Sequence, residues 1–461
     1  MATGYLGFYM IKKLNLISIL AMTSGFGWSA PSFASEPQCL PGGRWDPEMQ
    51  MCMQTGVKVP EPPVVAPPSR GAQTEASRAA PAAMPTMLMA SRQPPTRTVM
   101  DMPAETMPEA PLMLQVNQFA LYSHTTGPRG GSRVTGPGTW MLMYNQSLSP
   151  SNKLQVSLMA SPEQLTVGDK GTPQLLQVEN IDNMHAHDTI MALEFRDIIS
   201  IGPNGNQHLT FLFAPRGAAA IGPVPFMHRQ SAEGNPDAPL GHTLQDGFHD
   251  ASTVLGVEYG FGRTTVEATA FSGAGISWPL PLHSPDSFAF RLTQGIGEHV
   301  NLGASYGDVL STGDHGNMEH SQYISAWVAT SHKIGPGTLK SSLVFARGRN
   351  GISPSQSSLL AEAVYARGMN AFFGRAEVLQ ATPEELDVAT IPNPIDPQWV
   401  KALTFGYERT LFEQRGLSFR LGGSYTKDFV PSDFRPEYGS HPGGFKLFLR
   451  IKFVTNGGHA M

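Results

Sequence analysis

The feature that most constrains this chain is a strict alternation of apolar and polar residues near its C-terminus. In "GFKLFLRIKF", Phe445, Leu447 and Leu449 alternate with Lys446 and Arg450. A period of two places the two sets on opposite faces of a β-strand. Comparable segments, separated by turn residues, follow one another from residue 112 onward. The pattern predicts an all-β chain with one apolar face per strand, and a soluble sandwich would alternate in the same way.

The lengths of the connections distinguish these two architectures. Short connections such as "FGR" and "IGPG" alternate with long ones, for example from Ser161 to His187 and from Ala214 to Ala251. About sixteen strands with tight turns at one end and long loops at the other are typical of a transmembrane antiparallel β-barrel, and we allow about 14 to 18. Closure would also remove the exposed edges that so many strands would otherwise leave.

In such a barrel the apolar face contacts lipid and the charged face lines the lumen. Sixteen strands leave room for an aqueous channel unless loops fold inward. The charges predict either a wetted, salt-bridged interior or steering of ions, and the sequence does not choose between the two. The side chains expected inside are Glu194, Arg196, Glu258, Glu267, Arg375, Arg420, Lys446 and Arg450.

The N-terminal residues 1–34 have the pattern of a secretory signal peptide. Lys12 and Lys13 precede an apolar run, and small residues precede an expected cleavage after Ala34. No later segment approaches the roughly 18 apolar residues that a transmembrane helix requires. An exported barrel predicts a location in the cell outer membrane of a Gram-negative bacterium, with outer-membrane lipid as its partner.

Residues 35–56 form a separate segment that contains both cysteines of the chain, Cys39 and Cys52. In an oxidising compartment two nearby cysteines predict a small disulfide loop. The alternative is a reduced thiolate pair beside Met49, Met51 and Met53, which would suit Cu(I).

Residues 57–111 are rich in Pro and Ala and show no sustained period, which predicts a disordered periplasmic tether before the barrel at 112–461. The tether contains several methionines, among them Met84, Met87 and Met89. Thioethers select Cu(I) or Ag(I), so these residues are candidate metal ligands. Compositional drift would explain them equally well.

A second group of candidate ligands lies in the two long loops that flank the fourth and fifth strands. Imidazole and thioether side chains at the outer mouth or in the lumen could bind a soft or borderline cation, Cu(I) or Ag(I) among them. The alternative is that they only hydrogen-bond the two loops to each other and to the wall. The candidates are His185, His187 and Asp188 in the first loop, and Met227, His228, His242 and His249 in the second.

These same segments resemble a family of poorly characterised bacterial outer-membrane β-barrel proteins. "MHAHDTIMALEF", "GPVPFMHRQSAEGNPDAPLGH", "VLGVEYGFGRTTVEATAFSG" and "FFGRAEVLQATPEEL" occur in the family's order. The family's His-Pro-His-Asp becomes His-Ala-His-Asp at 185–188, whereas its Phe-Met-His-Arg and Asn-Pro-x-Ala-Pro-Leu-x-His are intact at 226–229 and 235–242. Because members are often encoded beside copper and silver efflux genes, the resemblance implies soft-metal handling, with periplasmic metal-efflux components as candidate partners.

Three functions therefore remain open: soft-metal handling or efflux, a general diffusion porin or structural barrel, and a lipid-modifying enzyme. The enzyme is disfavoured because His249 and Ser252, three residues apart, would point to opposite faces of a strand. A net charge of -5 gives no reason to expect nucleic acid. No dinucleotide fingerprint, P-loop or haem-attachment motif is present, so we expect no enzymatic activity and no conventional cofactor.

Overall fold

A computed structural model describes residues 43–46, 51–54, 112–202, 206–273, 282–312, 318–350 and 354–455. In the N-terminal part, β1 (Gly43–Asp46) and β2 (Met51–Gln54) pair antiparallel, with Trp45 opposite Cys52 in register. The predicted signal peptide, Cys39 and the tether with Met84, Met87 and Met89 lie outside the described residues.

The rest of the described chain forms a closed antiparallel β-barrel in which consecutive strands are neighbours. Its strands are β3 (Leu112–Thr125), β4 (Ser132–Thr135), β5 (Gly138–Ser149), β6 (Asn152–Ala160), β9 (Ile190–Ile201), β10 (Gln207–Gly217), β11 (Ala251–Phe261), β12 (Thr264–Ser272), β13 (Ser287–Ile296), β14 (Val300–Thr312), β15 (Met318–Ile334), β16 (Gly337–Asn350), β17 (Gln356–Arg367), β18 (Asn370–Ala381), β19 (Gln398–Gln414), β20 (Leu417–Phe429) and β21 (Gly443–Val454). Because β4 and β5 pair one after the other with β3, the wall has sixteen strands, and β21 closes it against β3. The prediction of an all-β, transmembrane-type antiparallel barrel of about sixteen strands is confirmed.

The remaining elements are short and lie in the long connections. A two-stranded ladder joins β7 (Thr172–Pro173) to β8 (Asn183–Met184). The helical elements are each a single turn. They are the α-helical turns α1 (Glu163–Thr166), α2 (His242–Gln245) and α3 (Arg435–Tyr438), and the 3-10 turns at Gln230–Ala232 and Ser432–Phe434. Among the described residues, no helix is long and apolar enough to cross a membrane.

Short turns and long loops occupy opposite ends of the barrel, as the connection lengths predict. The β11–β12 connection is a two-residue turn, and Gly262 adopts a φ of 58° there, a left-handed conformation that favours glycine. Both ends of the barrel sequence meet at this turn end, where the Leu114 amide donates to Thr455 Oγ1 at 2.8 Å. The long loops therefore connect the strands at the opposite end of the barrel.

The two faces of the wall have the inverted polarity that the sequence predicts. Outward-facing apolar side chains remain exposed, including Phe405 at 62% and Leu447 at 57%. Seven of the eight side chains predicted inside are buried, and the eighth, Arg420, is partly buried with 19% of its side chain accessible. An apolar outer face around a polar interior is the arrangement of barrels that cross membranes.

Two of the long loops fold back into the lumen, and we call them the first inner loop (161–189) and the second inner loop (218–250). Leu240 and Leu244 of the second loop join one buried cluster with Leu176 of the first and Val400 of the wall. The Leu240 amide donates to Glu377 Oε1 at 2.7 Å, far from the loop's own strands. The barrel interior is thus a packed core that includes both loops.

We expect a charge on the outer face to destabilise the barrel in lipid. Phe405 lies near the middle of β19, so Phe405→Arg should lower the free energy of unfolding from lipid vesicles by about 2–4 kcal/mol. Denaturant titration of the refolded protein in vesicles measures this, with Phe405→Leu as the control. Equal stability of the two variants would show that this face does not contact lipid.

Candidate metal centre

Three buried histidines from the two inner loops meet in the lumen. His187 ends the first inner loop, whereas His242 and His249 belong to the second. Each offers one nitrogen, and the three nitrogens lie within 4.8 Å of one another. The rings are 5.6 Å apart for His187 and His249, and 5.1 Å apart for His242 and His249, measured between centroids. Such a group is a candidate site for one metal ion.

Local structure of the second inner loop positions two of these imidazoles around Asp246. The single turn of α2 brings His242 four residues from Asp246, and His242 Nδ1 lies 2.5 Å from Asp246 Oδ1. His249 Nδ1 donates to the main-chain oxygen of Asp246 at 3.0 Å. The ring of Phe226 packs edge-on against His242 at 5.2 Å. One aspartate therefore orients both rings.

Glu163 orients the third imidazole from α1. Its Oε2 accepts from both the main-chain N–H and Nδ1 of His187, each at 2.8 Å. Its Oε1 accepts from the amide of Gly138 at 2.9 Å, which fixes the carboxylate against β5. With Nδ1 of His187 and Nδ1 of His249 engaged, Nε2 of each of these two rings is left for a ligand. Among the described residues, Nε2 of His187 and Nε2 of His249 are buried without a hydrogen-bond partner.

Burial and neighbouring charges separate the protonation behaviour of the site's groups. Burial lowers the pKa of His249 to about 4, with positive neighbours contributing. Burial also disfavours charge on His242, but the carboxylates of Glu179 and Asp246 outweigh it and raise its pKa to about 9. Burial likewise opposes charge on Asp246, yet the nearby His242 and Arg229 lower its pKa to about 2. Without an ion, the charge of the site is thus balanced between His242 and Asp246.

A buried arginine ties this site to the opposite wall. Arg229 Nη1 lies 2.8 Å from Asp246 Oδ2, and Arg229 Nε lies 2.5 Å from Glu362 Oε1 on β17. Ser231 Oγ donates to the same Glu362 oxygen at 2.9 Å. Paired and hydrogen-bonded charges of this kind are the form in which ionised side chains are tolerated in an interior. The network holds the second inner loop across the lumen.

Not all of the sequence candidates join the three-histidine group. His185 is half-buried, with its Nδ1 2.6 Å from Glu179 Oε2. Asp188 pairs with Arg216 at 2.6 Å. His228 is turned toward the wall, where its Nε2 lies 2.9 Å from Met159 Sδ. Burial lowers the pKa of His228 to about 4, with positive neighbours contributing.

Met227 packs beside the site, and it lines the same cavity of about 200 Å³ as Met184 and His187. Sequence reasoning missed Glu163 because the carboxylate and His187 are separated by 24 residues. It also missed the part that Arg229 plays, although the residue stands within the "FMHR" segment. The i, i+4 spacing of His242 and Asp246 was the one local signal that could have shown their pairing.

The geometry suits a cation that accepts nitrogen ligands. Metal-bound histidines typically donate their second N–H to a carboxylate or a carbonyl, which is the arrangement that Glu163 and Asp246 provide here. Imidazole suits Zn²⁺ and copper ions, and three protein ligands leave a further position open. A tetrahedral ion with Zn–N bonds of 2.0–2.1 Å needs nitrogens about 3.3 Å apart, so binding would draw the rings together.

The chain matches no protein-family model and no curated protein. Among solved structures, it is similar to OmpT, an outer membrane protein of Vibrio cholerae, with 8% identity, a TM-score of 0.46, and coverage of 76% of this chain and 100% of that chain. For Salmonella typhi OmpF in complex with daunomycin the identity is 10%, the TM-score 0.48, and the coverage 74% and 97%. For an anion-selective porin from Comamonas acidovorans these values are 10%, 0.47, 75% and 100%. These likenesses concern the barrel architecture.

We expect Arg229→Met to release the second inner loop. The substitution leaves Asp246 and Glu362 without one partner each, and breaking a buried ion pair costs about 3–5 kcal/mol. Hydrogen exchange of residues 218–250 should rise while exchange in the wall strands changes little. Arg367→Met at the exposed end of β17 is the control. Unchanged exchange in the loop would show that packing, not this network, fixes it.

Proposed function

We propose that this protein is a porin-like outer-membrane barrel that binds a transition-metal ion in its lumen. The observation that supports this most strongly is the convergence of His187, His242 and His249, each with Nδ1 engaged by an acceptor. Loops that only packed together would not require three imidazoles to bring one nitrogen each within 4.8 Å of one another.

The proposed location follows from the polarity of the wall. A closed barrel with an apolar outer face satisfies its main chain within lipid, and barrels of this design are those of Gram-negative outer membranes. The signal-like N-terminus agrees with export. In this orientation the turn end faces the periplasm, and outer-membrane lipid surrounds the wall.

The proposed ion is a borderline or soft metal. Imidazoles accept Zn²⁺ and copper, and the thioethers of Met184 and Met227 on the same cavity favour copper or silver over zinc. Because both inner loops fill the lumen, an ion bound here would stand within any path through the barrel. Metal handling, by sequestration or by controlled passage, is the function we propose for the centre.

We expect one high-affinity metal site that depends on His187. Titration of the purified mature chain with Zn²⁺, and with Co²⁺ as a spectroscopic probe, should show nitrogen-rich coordination. Loss of an outer-shell partner alone typically costs 10–100-fold in affinity, so His187→Ala should weaken binding by at least about 100-fold. His441→Ala, in an exposed loop, is the matched control. Equal affinity in both variants would reject the centre.

A general diffusion porin is the second candidate, and the charges on one side of the second inner loop favour it. Lys340, Arg420, Arg450 and Lys452 all face Glu233, and the Lys452 ammonium forms an ion pair with it. Arg420 and Arg450 also contact Glu408, at 2.9 Å and 3.1 Å. Four cations against two carboxylates leave a local positive patch on the lumen wall, which would favour anions there.

Planar-bilayer recordings separate the two candidates. A metal-binding barrel should show a current that changes when Zn²⁺ is added, and this change should disappear in His187→Ala. A plain porin should conduct steadily in both proteins, with a reversal potential in a KCl gradient that indicates anion preference. That preference should weaken in Lys452→Gln, which removes one of the four cations.

A further inference from the structure

Methionines line one stretch of the lumen wall where polar side chains are the rule. On β5, Met141 and Met143 are buried at 2% and 4%, while Trp140, Leu142 and Tyr144 between and beside them are exposed to the outside. The inner faces of membrane barrels are ordinarily polar. The "MLM" segment therefore turns two thioethers inward. Neither contact with lipid nor contact with water accounts for methionine on this inner face.

The strand register extends this feature across three neighbouring strands. Met113 on β3 lies directly opposite Met143, and Met159 on β6 lies directly opposite Met141. Directly opposed residues of an antiparallel pair have Cβ atoms about 4.5–5.5 Å apart. Met113, Met141 and Met143 form a buried cluster that contains only methionine. Branched side chains would pack such a wall more rigidly, since methionine is flexible and specifies a core poorly.

An imidazole reaches this wall from the second inner loop. His228 Nε2 lies 2.9 Å from Met159 Sδ, which brings two donor atoms for soft metals into contact. The Gln155 side-chain amide donates to Met143 Sδ at 3.2 Å and holds that thioether in place. Both contacts fix sulfur atoms whose side chains would otherwise be mobile.

A cavity of about 50 Å³ separates these side chains, and Met141, Met143, Met159, His228 and His249 all line it. This volume is ample for a single ion, since one water needs about 10–15 Å³ on the same measure. The residue His249 is 5% exposed, and its Nε2 has no hydrogen-bond partner among the described residues. The cavity is thus lined by three thioethers and two buried imidazoles.

We propose that Met141, Met143, Met159 and His228 form a second metal site, selective for a soft monovalent cation, Cu(I) or Ag(I). Thioethers favour these ions over Zn²⁺ and over hard cations. The proposed ligands are uncharged and cannot compensate the charge of the ion, and an uncompensated buried charge is costly. A monovalent cation therefore suits the site better than a divalent one. The charged pair that lines the cavity, Glu194 and Arg196, is neutral as a unit, with 3.1 Å between its atoms. This site does not require the three-histidine centre to be occupied.

The test follows individual methionines in the full mature chain, because the tether methionines would also take up Ag(I). Methyl-¹³C-methionine spectra are recorded in nanodiscs without chloride, and single Met→Leu variants assign the signals. On titration with AgNO₃, the methyl signals of Met141, Met143 and Met159 should shift together. Met369, exposed at the β17–β18 turn, is the internal control and should not shift with them.

Substitutions then separate a ligand role from packing. Leucine conserves the volume of methionine, so Met141→Leu with Met143→Leu should preserve the fold while weakening Ag(I) binding at this site by at least about 100-fold. His228→Ala should weaken it as well. If the three signals do not move at a stoichiometric excess of Ag(I), the methionines only fill space and the proposal is wrong.

A last variant keeps this proposal distinct from the histidine centre. His187→Ala should abolish Zn²⁺ binding at the three histidines yet leave the Ag(I)-induced shifts of Met141 and Met159 in place. Loss of those shifts in His187→Ala would mean that the ion is held by the histidines, and the separate thioether site would be rejected. In the unsubstituted chain, Ag(I)-induced shifts of these methionines without any Zn²⁺ binding would instead reject the three-histidine centre alone.

Discussion

The structure depends on the closure of the barrel, because a strand in lipid has no water to satisfy its main-chain N–H and C=O groups. The pairing of β21 with β3, in unbroken register from Gly444 opposite Thr125 to Val454 opposite Gln115, removes the last free edge. Closure also fixes which face of every strand meets lipid. The apolar set of the strands then faces lipid, and the lumen receives the charged set.

A polar lumen changes what a loop can do inside it. The second inner loop brings Arg229, Asp246 and Glu233 into the interior, and each finds oppositely charged partners there. In an apolar core the same side chains would impose a large desolvation cost. The charged wall thus makes the inward fold of the loop possible, and the loop in turn buries imidazoles that would otherwise be hydrated.

Two different sets of donor atoms lie side by side as a result. The three-histidine group offers nitrogen, whereas the wall of β5 and β6 offers thioether sulfur, and His228 and His249 line the cavity next to that wall. Borderline and soft cations differ in which of these they prefer. A barrel with both sets could discriminate between such ions, and the route from the turn end would pass Met143, which lies opposite Met113, first.

The sequence by itself determined the wall of this protein. Alternation in segments such as "GFKLFLRIKF" and the order of short and long connections set strand number, strand polarity and the charged lumen, because each depends on neighbours a few residues apart. It also identified His187, His242 and His249 as candidates, although it could not separate them from Asp188, which pairs with Arg216. Only the tertiary structure decided that the two loops fold inward, that Glu163 orients His187, and that Met159 meets His228 across 69 residues. Such contacts depend on barrel closure bringing distant segments together, and no local pattern in the chain encodes that.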